Sequence, residues 1–307
     1  MFSPPPVKLH LSIQLPHITC STPPQLPSFV KIEDPFKLYR KMEILGKGAF
    51  GTVFKVFNVT IGNFFAMKIL DVSSDSRDGL AQAALNEAEI GLSMDHPGVC
   101  KTHAVYYHDN QLFLIMELMS FGTINKLLPI LTGPTGKSEN NRKTIKRLMH
   151  EIADAIRYMH SIGILHRDIK SENIGLFVDE KGVIHAKVMD FGVSCYRDNV
   201  PKNNSFAGSI YYMAPESING VIDVGIDMWA FACLVVELHT GNPPNFDKEP
   251  VNITWSLIGM KEPPIPDELK MDMTEAGQEI YALLQKAFEI DHVHRLTFDQ
   301  LCDKMSI

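Results

Sequence analysis

The segment "HRDIKSEN" places Asp168, Lys170 and Asn173 within six residues, and "MDFG" adds Asp190 seventeen positions after Asn173. A carboxylate in such a setting orients a hydroxyl nucleophile or accepts its proton, and a lysine two residues on balances charge on a phosphoryl group in transfer. An asparagine oxygen and a second carboxylate suit a hard divalent cation such as Mg²⁺. Each short run alone reads as a polar loop. In this order and together they predict phosphoryl transfer.

Upstream, "LGKGAFGTV" supplies Gly46, Gly48 and Gly51, followed by Val53. A dinucleotide-binding turn would run from a strand into a helix. Here "TVFKVFNVT" continues as strand, so the glycines predict a hairpin able to fold over phosphates; the plainer alternative is a Gly-rich turn. In "FAMK", Lys68 has apolar neighbours, an unusual place for an ammonium group unless an anion meets it. Glu87, nineteen residues later, falls on a predicted helix from which it can reach Lys68. The plainer alternative there is an exposed strand lysine. A triphosphate brings heavy negative charge into a dry cleft, and Lys68, Lys170 and Mg²⁺ are the neutralisation it needs.

These groups have to be positioned by regular elements. From Tyr39 the runs "YRKMEILGKG", "GTVFKVFNV", "NFFAMKIL", "VCKTHAVYYH" and "QLFLIMEL" predict a small, mainly antiparallel sheet, interrupted by one helix over 80–94. Beyond Leu118 the spacing turns helical, and Ile145, Leu148, Ile152, Ile156 and Met159 make one stripe with Ser138 upstream as a candidate cap. A hairpin with its turn at 179–182 and helices at 227–239 and 275–290 follow. No internal repeat is visible, which disfavours a solenoid. Residues 1–36 are rich in Pro, Ser and Thr and predict a flexible tail. Their "PPQLP" has the spacing an SH3-type groove binds, although linkers carry it too.

With 307 residues, 45% hydrophobic and 21% charged, the chain can bury a substantial core in one large domain or two lobes. A net charge of −7 and the absence of Lys/Arg runs leave no footprint for nucleic acid or a membrane surface. Cys20, Cys100, Cys195, Cys233 and Cys302 are odd in number and form no CxxC pair. That argues against a disulfide framework or a zinc site and favours a reducing, cytoplasmic setting. Prolines interrupt the start of the chain where a secretory segment needs an apolar run, Phe2 excludes myristoylation there, and "CDKMSI" is not a prenylation signal. The apolar run 228–238 is too short for a bilayer and contains Glu237.

"APE" (Ala214, Pro215, Glu216), "DMW" (227–229) and "DHVHRLT" around Arg295 complete a series of motifs in which the chain resembles a eukaryotic protein kinase over nearly all of 39–307. The resemblance implies an α+β bilobal fold. A small, mainly antiparallel β lobe with one helix would occupy 37–118, and a larger, mainly helical lobe 119–307. It implies ATP and Mg²⁺, with Asp168, Lys170, Lys68 and Glu87 as catalytic residues and Asn173 and Asp190 as metal ligands. The nucleotide would be lined by Leu45, Gly46, Gly48, Gly51, Val53, Ala66, Lys68, Met116, Glu117, Met119 and Gly175, with a hinge at 117–119. Lys68 would pair with Glu87, and Glu216 with Arg295.

Lys170 resembles the serine/threonine version of the catalytic loop. "SFAGSIYYMAPE" is similar to the activation segment of the STE group, which acts upstream of MAP kinases. In that pattern Ser205 falls on a phosphosite position, and Arg167 supplies a cation to receive the phosphate. The implied partners are a protein substrate, either a MAP kinase or a MAP kinase kinase, and an upstream activating kinase; dual specificity stays open. His292 and His294 flank Arg295 and read as framework, not metal ligands.

Four positions depart from the family pattern. Gly175, beneath the expected adenine ring, and Gly91, against Phe191, stand where a leucine or similar is usual. Thr102 is smaller than the usual leucine and Ala232 larger than the usual glycine. Fully burying an aliphatic side chain contributes about 1.5 to 3 kcal/mol, so these positions bear on nucleotide affinity and on the active arrangement. Met67, Met116, Met119 and Met189 are expected around the pocket, with a thioether such as Met189 filling the gap under the adenine. The alternative to an enzyme is a pseudokinase-like scaffold, a class that usually lacks the equivalents of Lys68, Asp168 or Asp190. All three are present.

Overall fold

The computed structural model describes residues 26–48, 51–72, 80–132, 138–200 and 208–305. The small lobe carries β1 (Val30–Ile32), β2 (Tyr39–Gly48), β3 (Gly51–Asn58), β4 (Asn63–Asp71), α1 (Leu80–Ser93), β5 (Thr102–His108) and β6 (Gln111–Met116). The strands lie in the order β1-β5-β6-β4-β3-β2, antiparallel except for β1, which runs parallel to β5. Side chains alternate across a strand, so Ala66 and Lys68 share one face of β4 and Met67 takes the other. There Met67 is fully buried among Tyr39, Val56, Phe65, Phe113 and Ile115. It therefore does not line the nucleotide face, contrary to the sequence expectation.

The tail predicted to extend to residue 36 also needs correction. Val30, Lys31 and Ile32 pair with Val105, Tyr106 and Tyr107, and a short turn over Pro35–Lys37 is capped by Asp34, which accepts a hydrogen bond from the Phe36 amide at 2.8 Å. Phe36 meets Phe113 edge-on, ring centroids 5.5 Å apart. The apolar side chains of Leu26, Phe29 and Val30 have a groove to fill beside α1, which draws this stretch onto the sheet. Residues 23–25 of the PxxP run lie outside the described residues.

The large lobe follows with α2 (Leu128–Thr132), α3 (Glu139–Ser161), β7 (Ile164–Leu165), β8 (Ile174–Val178), β9 (Ile184–Val188), β10 (Cys195–Tyr196), α4 (Pro215–Ile218), α5 (Val224–Thr240), α6 (Pro250–Leu257), α7 (Asp267–Lys270), α8 (Glu275–Ala287) and α9 (Phe298–Met305). The predicted stripe of α3 is buried, and Ser138 caps it by accepting from the Asn141 amide at 3.3 Å. Satisfying an orphan N–H in this way fixes the helix start. Around this stripe packs α5, buried along 225–238 and bounded by the Asp223 cap and by Gly241 at φ 90°. Helix α8 ends at Ala287, short of the predicted 290, because Phe288 turns into the core. Cys100, Cys195, Cys233 and Cys302 are buried and form no disulfide. Burial pushes the Cys100 thiol up to about 12. The architecture is the expected α+β arrangement of a sheet-rich small lobe and a helical large lobe.

Candidate active site

The loop between β7 and β8 is shaped by one carboxylate at the start of α5. Asp227, fully buried, accepts hydrogen bonds from the amides of His166 at 2.9 Å and Arg167 at 2.8 Å, and from the His160 ring at 2.8 Å. Burial opposes its charge, but His160 and these donors hold its carboxyl below the ordinary range. The same bonds keep Arg167 at φ 70°, a conformation that costs free energy for any residue but glycine.

Asp168 is thereby presented with its partners. Its Oδ2 accepts from Asn173 Nδ2 at 2.9 Å and lies 2.7 Å from Lys170 Nζ, while Oδ1 accepts from Ser209 Oγ at 3.0 Å. Ser209 in turn accepts from Lys170 at 2.8 Å. Next to this cluster, Ser171 and Tyr212 donate their hydroxyls to Glu237 of α5 at 2.7 and 2.6 Å. Burial pushes both the Glu237 carboxyl and the Tyr212 phenol upward. Glu237 thus ties the catalytic loop and the segment around Tyr212 to one helix. Gly208, at φ 104°, lets that segment approach closely: a Cβ there would stand 2.5 Å from the Arg167 carbonyl oxygen.

Across the cleft, Lys68 Nζ lies 2.6 Å from Glu87 Oε1 and 2.9 Å from Asp190 Oδ1. Burial works against the ammonium, and the two carboxylates outweigh it and raise its pKa. Burial pushes the Glu87 carboxyl up against the pull of Lys68, whereas in Asp190 the same lysine overcomes burial and keeps the group ionised. In the hairpin above, Gly46 faces Val53 and Gly48 faces Gly51. Positions 46 and 48 have open space where a side chain would stand, which leaves room for a phosphate. Gly51, at φ 143°, serves the sheet: a Cβ there would collide with the Ile69 carbonyl. Leu45 is exposed on β2, and Val53 and Ala66 pair with Lys68 and Met116 respectively.

At the hinge, Glu117 donates its amide to the Lys101 carbonyl at 2.9 Å, and its carboxylate lies 2.7 Å from Lys187 Nζ. Beneath, a Cβ on Gly175 would collide with Met119 Cγ and stand 2.7 Å from Met119 Sδ and 2.9 Å from Met189 Sδ. The gap is filled by two thioethers, with Met119 nearer than the expected Met189. At Gly91, the Thr102 hydroxyl occupies the place of the missing side chain. A small residue at 102 and none at 91 are therefore one packing solution.

Residues 39–306 match the sequence profile described as protein kinase domain. The chain belongs to the protein kinase family. It is 33% identical over 250 residues to an Aurora kinase of Saccharomyces cerevisiae, covering 81% of this chain and 64% of that one. It is 29% identical over 274 residues to a mitogen-activated protein kinase kinase kinase of Pyricularia oryzae, covering 85% and 17% respectively. A serine/threonine-protein kinase of Saccharomyces cerevisiae is 32% identical over 272 residues, covering 87% and 23%. The chain thus spans between 17 and 64% of the length of these relatives.

Protein kinases use ATP as phosphoryl donor with Mg²⁺. The residues present fit that ion. The Asn173 amide nitrogen is committed to Asp168, leaving its oxygen as the acceptor, and the ionised Asp190 side chain is 40% exposed. Both are hard oxygen donors. Among the described residues no cluster of three or more His, Cys, Asp or Glu is placed to hold a metal by itself. Glu216 and Arg295 meet through two parallel bonds, one of 3.0 Å, while His292 and His294 contact different carboxylates, Asp223 and Asp291. Arg167 donates to the Val193 carbonyl at 3.2 Å, and Ser205 lies outside the described residues.

Three participants of the kinase site escaped the sequence reading: Ser209, Ser171 and Glu237. A lone serine in "GSIYY" carries no spacing signal. Lys170, a long cation needing an oxygen partner, was the clue to look for one.

Proposed function

We propose that the chain transfers the γ-phosphoryl group of Mg-ATP to serine or threonine hydroxyls of a protein substrate, as an upstream kinase of a MAP kinase-type cascade in the cytoplasm. The observation that carries this reading is Ser209 bridging Asp168 and Lys170 across from an intact Lys68, Glu87 and Asp190 cluster. Asp168, oriented by Asn173 and Lys170, accepts the substrate hydroxyl's proton as its oxygen bonds to the γ-phosphorus. The bond to the bridging oxygen breaks and its electron pair leaves with ADP. Lys68 balances charge on the bound phosphates and Lys170 on the group in transfer. Mg²⁺, held by Asn173 and Asp190, would neutralise the triphosphate.

The cascade assignment is supported by relatives named as mitogen-activated protein kinase kinase kinases and by the "SFAGSIYYMAPE" segment. In this reading Ser205 is an activating phosphosite whose charge Arg167 helps to neutralise. The test is radiolabel transfer from ATP to generic substrates and to candidate MAP kinase kinases, with Asp168→Asn as control. Transfer by the parent alone is expected. Equal counts from both proteins would remove the enzyme and leave the scaffold, and transfer confined to generic substrates would remove the cascade assignment.

A further inference from the structure

Residues 26–32 precede the region that matches the kinase family, which begins at residue 39, yet they are built into the small lobe beside its catalytic pair. Val30, 8% exposed, sits in one apolar cluster with Ala84, Leu85 and Ala88 of α1 and with Leu70, Val105, Leu112 and Leu114 of the sheet; Leu26 and Phe29 pack against it. Leu85 and Ala88 flank Glu87 on the helix. Leu70 shares a face of β4 with Lys68, and Leu114 is the direct cross-strand neighbour of Lys68. The cluster is therefore the wall against which the ion pair of Lys68 and Glu87 is seated.

Helix α1 offers that wall little of its own. Its sequence, LAQAALNEAEIGLS, carries four alanines and a glycine; Leu85 is the one large side chain among its three buried cluster members, and Leu92 packs partly buried against them. On its other flank Ile90, with Met94 just past the helix end, reaches the large-lobe core, and Asn86 donates to the Ser194 carbonyl at 2.9 Å. Leu26, Phe29 and Val30 complete the layer between α1 and β5, and β1 fastens them to β5 by its backbone. Small side chains leave a helix free to slide where no complementary surface pins it.

We infer that Leu26, Phe29 and Val30 are positioning residues for phosphoryl transfer, holding Glu87 on Lys68 through α1. The inference rests on the cleft being catalytic, and its test separates the two. In the full chain, Phe29→Ala combined with Val30→Ala is expected to lower kcat/KM for ATP by about ten- to hundred-fold, the scale of a misplaced catalytic group. Assays run well below the unfolding temperature recorded for each variant. In a Glu87→Gln background the same double change is expected to cost no more than about twofold, because the group through which it acts is already gone. Phe29→Leu, which keeps an apolar side chain of similar reach, is expected to restore most of the activity.

Equal losses in both backgrounds would make the strand a structural prop and overturn the inference. So would an unchanged kcat/KM in the double variant of an active parent. A parent no more active than Asp168→Asn would instead remove the catalytic reading, and this inference with it.

Discussion

Helices α5 and α1 both carry carboxylates that order the site, and they are built in opposite ways. In α5, large apolar residues such as Trp229, Phe231 and Leu234 are buried on every side, and Asp227 and Glu237 project from that fixed core onto the catalytic loop. In α1, alanines and Gly91 present Glu87 from a thin layer whose packing depends on neighbouring segments. Asp168 and its partners are anchored against a deep core, and Glu87, which pairs with Lys68, is anchored in a layer one side chain deep. On the proposed reading, the large lobe fixes the chemistry and the small lobe governs whether the site is assembled.

That contrast is sharpest at Asp168, whose partners Asn173, Lys170 and Ser209 all belong to the large lobe. Asp168→Asn is expected to lower kcat by about 10²- to 10⁴-fold, the usual scale for a positioned acid or base. ATP affinity measured by calorimetry should stay near that of the parent. A parallel fall in affinity would show that the two sides cannot be separated.

The rigidity of the large lobe is probed next through Glu216→Ala, which strands Arg295, a guanidinium with no exposed side-chain surface. Breaking a buried pair from one side costs about 3 to 5 kcal/mol. Urea unfolding should show a loss of that order, and a loss near zero would mean that the Gly225 and Glu289 carbonyls already satisfy Arg295.

At the hinge, where the two lobes meet, Gly175→Leu must displace Met119 and Met189. Overpacking of this kind costs roughly 1 to 3 kcal/mol, seen as weaker ATP binding or lower stability. Calorimetric tightening would show that the thioethers do not fill the gap. The smallest effect belongs to α1. Gly91→Ala alone should destabilise, since its methyl group meets the Thr102 hydroxyl. Adding Thr102→Ala removes the hydroxyl contact and leaves the 102 Cβ 3.2 Å away, so part of the helix propensity gain of about 0.8 to 1 kcal/mol should appear in thermal unfolding. If both variants melt alike, Thr102 is not what fills the space.

The polar site was legible because its chemistry demands particular residue types at short spacing. Asp168, Lys170 and Asn173 come together in the fold, as do Lys68, Glu87 and Asp190. The stripe of α3 and its Ser138 cap were readable for a similar reason, since both are local periodic signals. What failed was non-local. Strand β1 is three residues long and pairs in parallel with a strand more than seventy positions away, so "VKI" shows no pattern by itself. Glu237 looked like an interruption in an apolar run because its partners, Ser171 and Tyr212, are distant in sequence. The misplacement of Met67 was avoidable: once Lys68 is assigned to the cleft, alternation sends its neighbour to the other face.

The thioether floor at Gly175 carries a consequence for small molecules. A branched aliphatic side chain at such a position would fill the space beneath a bound ring with stiffer packing. Here the backbone bears no side chain at 175, and the atoms in its place belong to two unbranched chains that change rotamer without moving the backbone. A heteroaromatic ring bearing a small substituent perpendicular to its plane would swing Met119 and Met189 aside and occupy their volume. Such compounds would discriminate in favour of this chain over proteins whose cleft floor is a branched aliphatic residue, which makes the missing side chain a handle for selectivity.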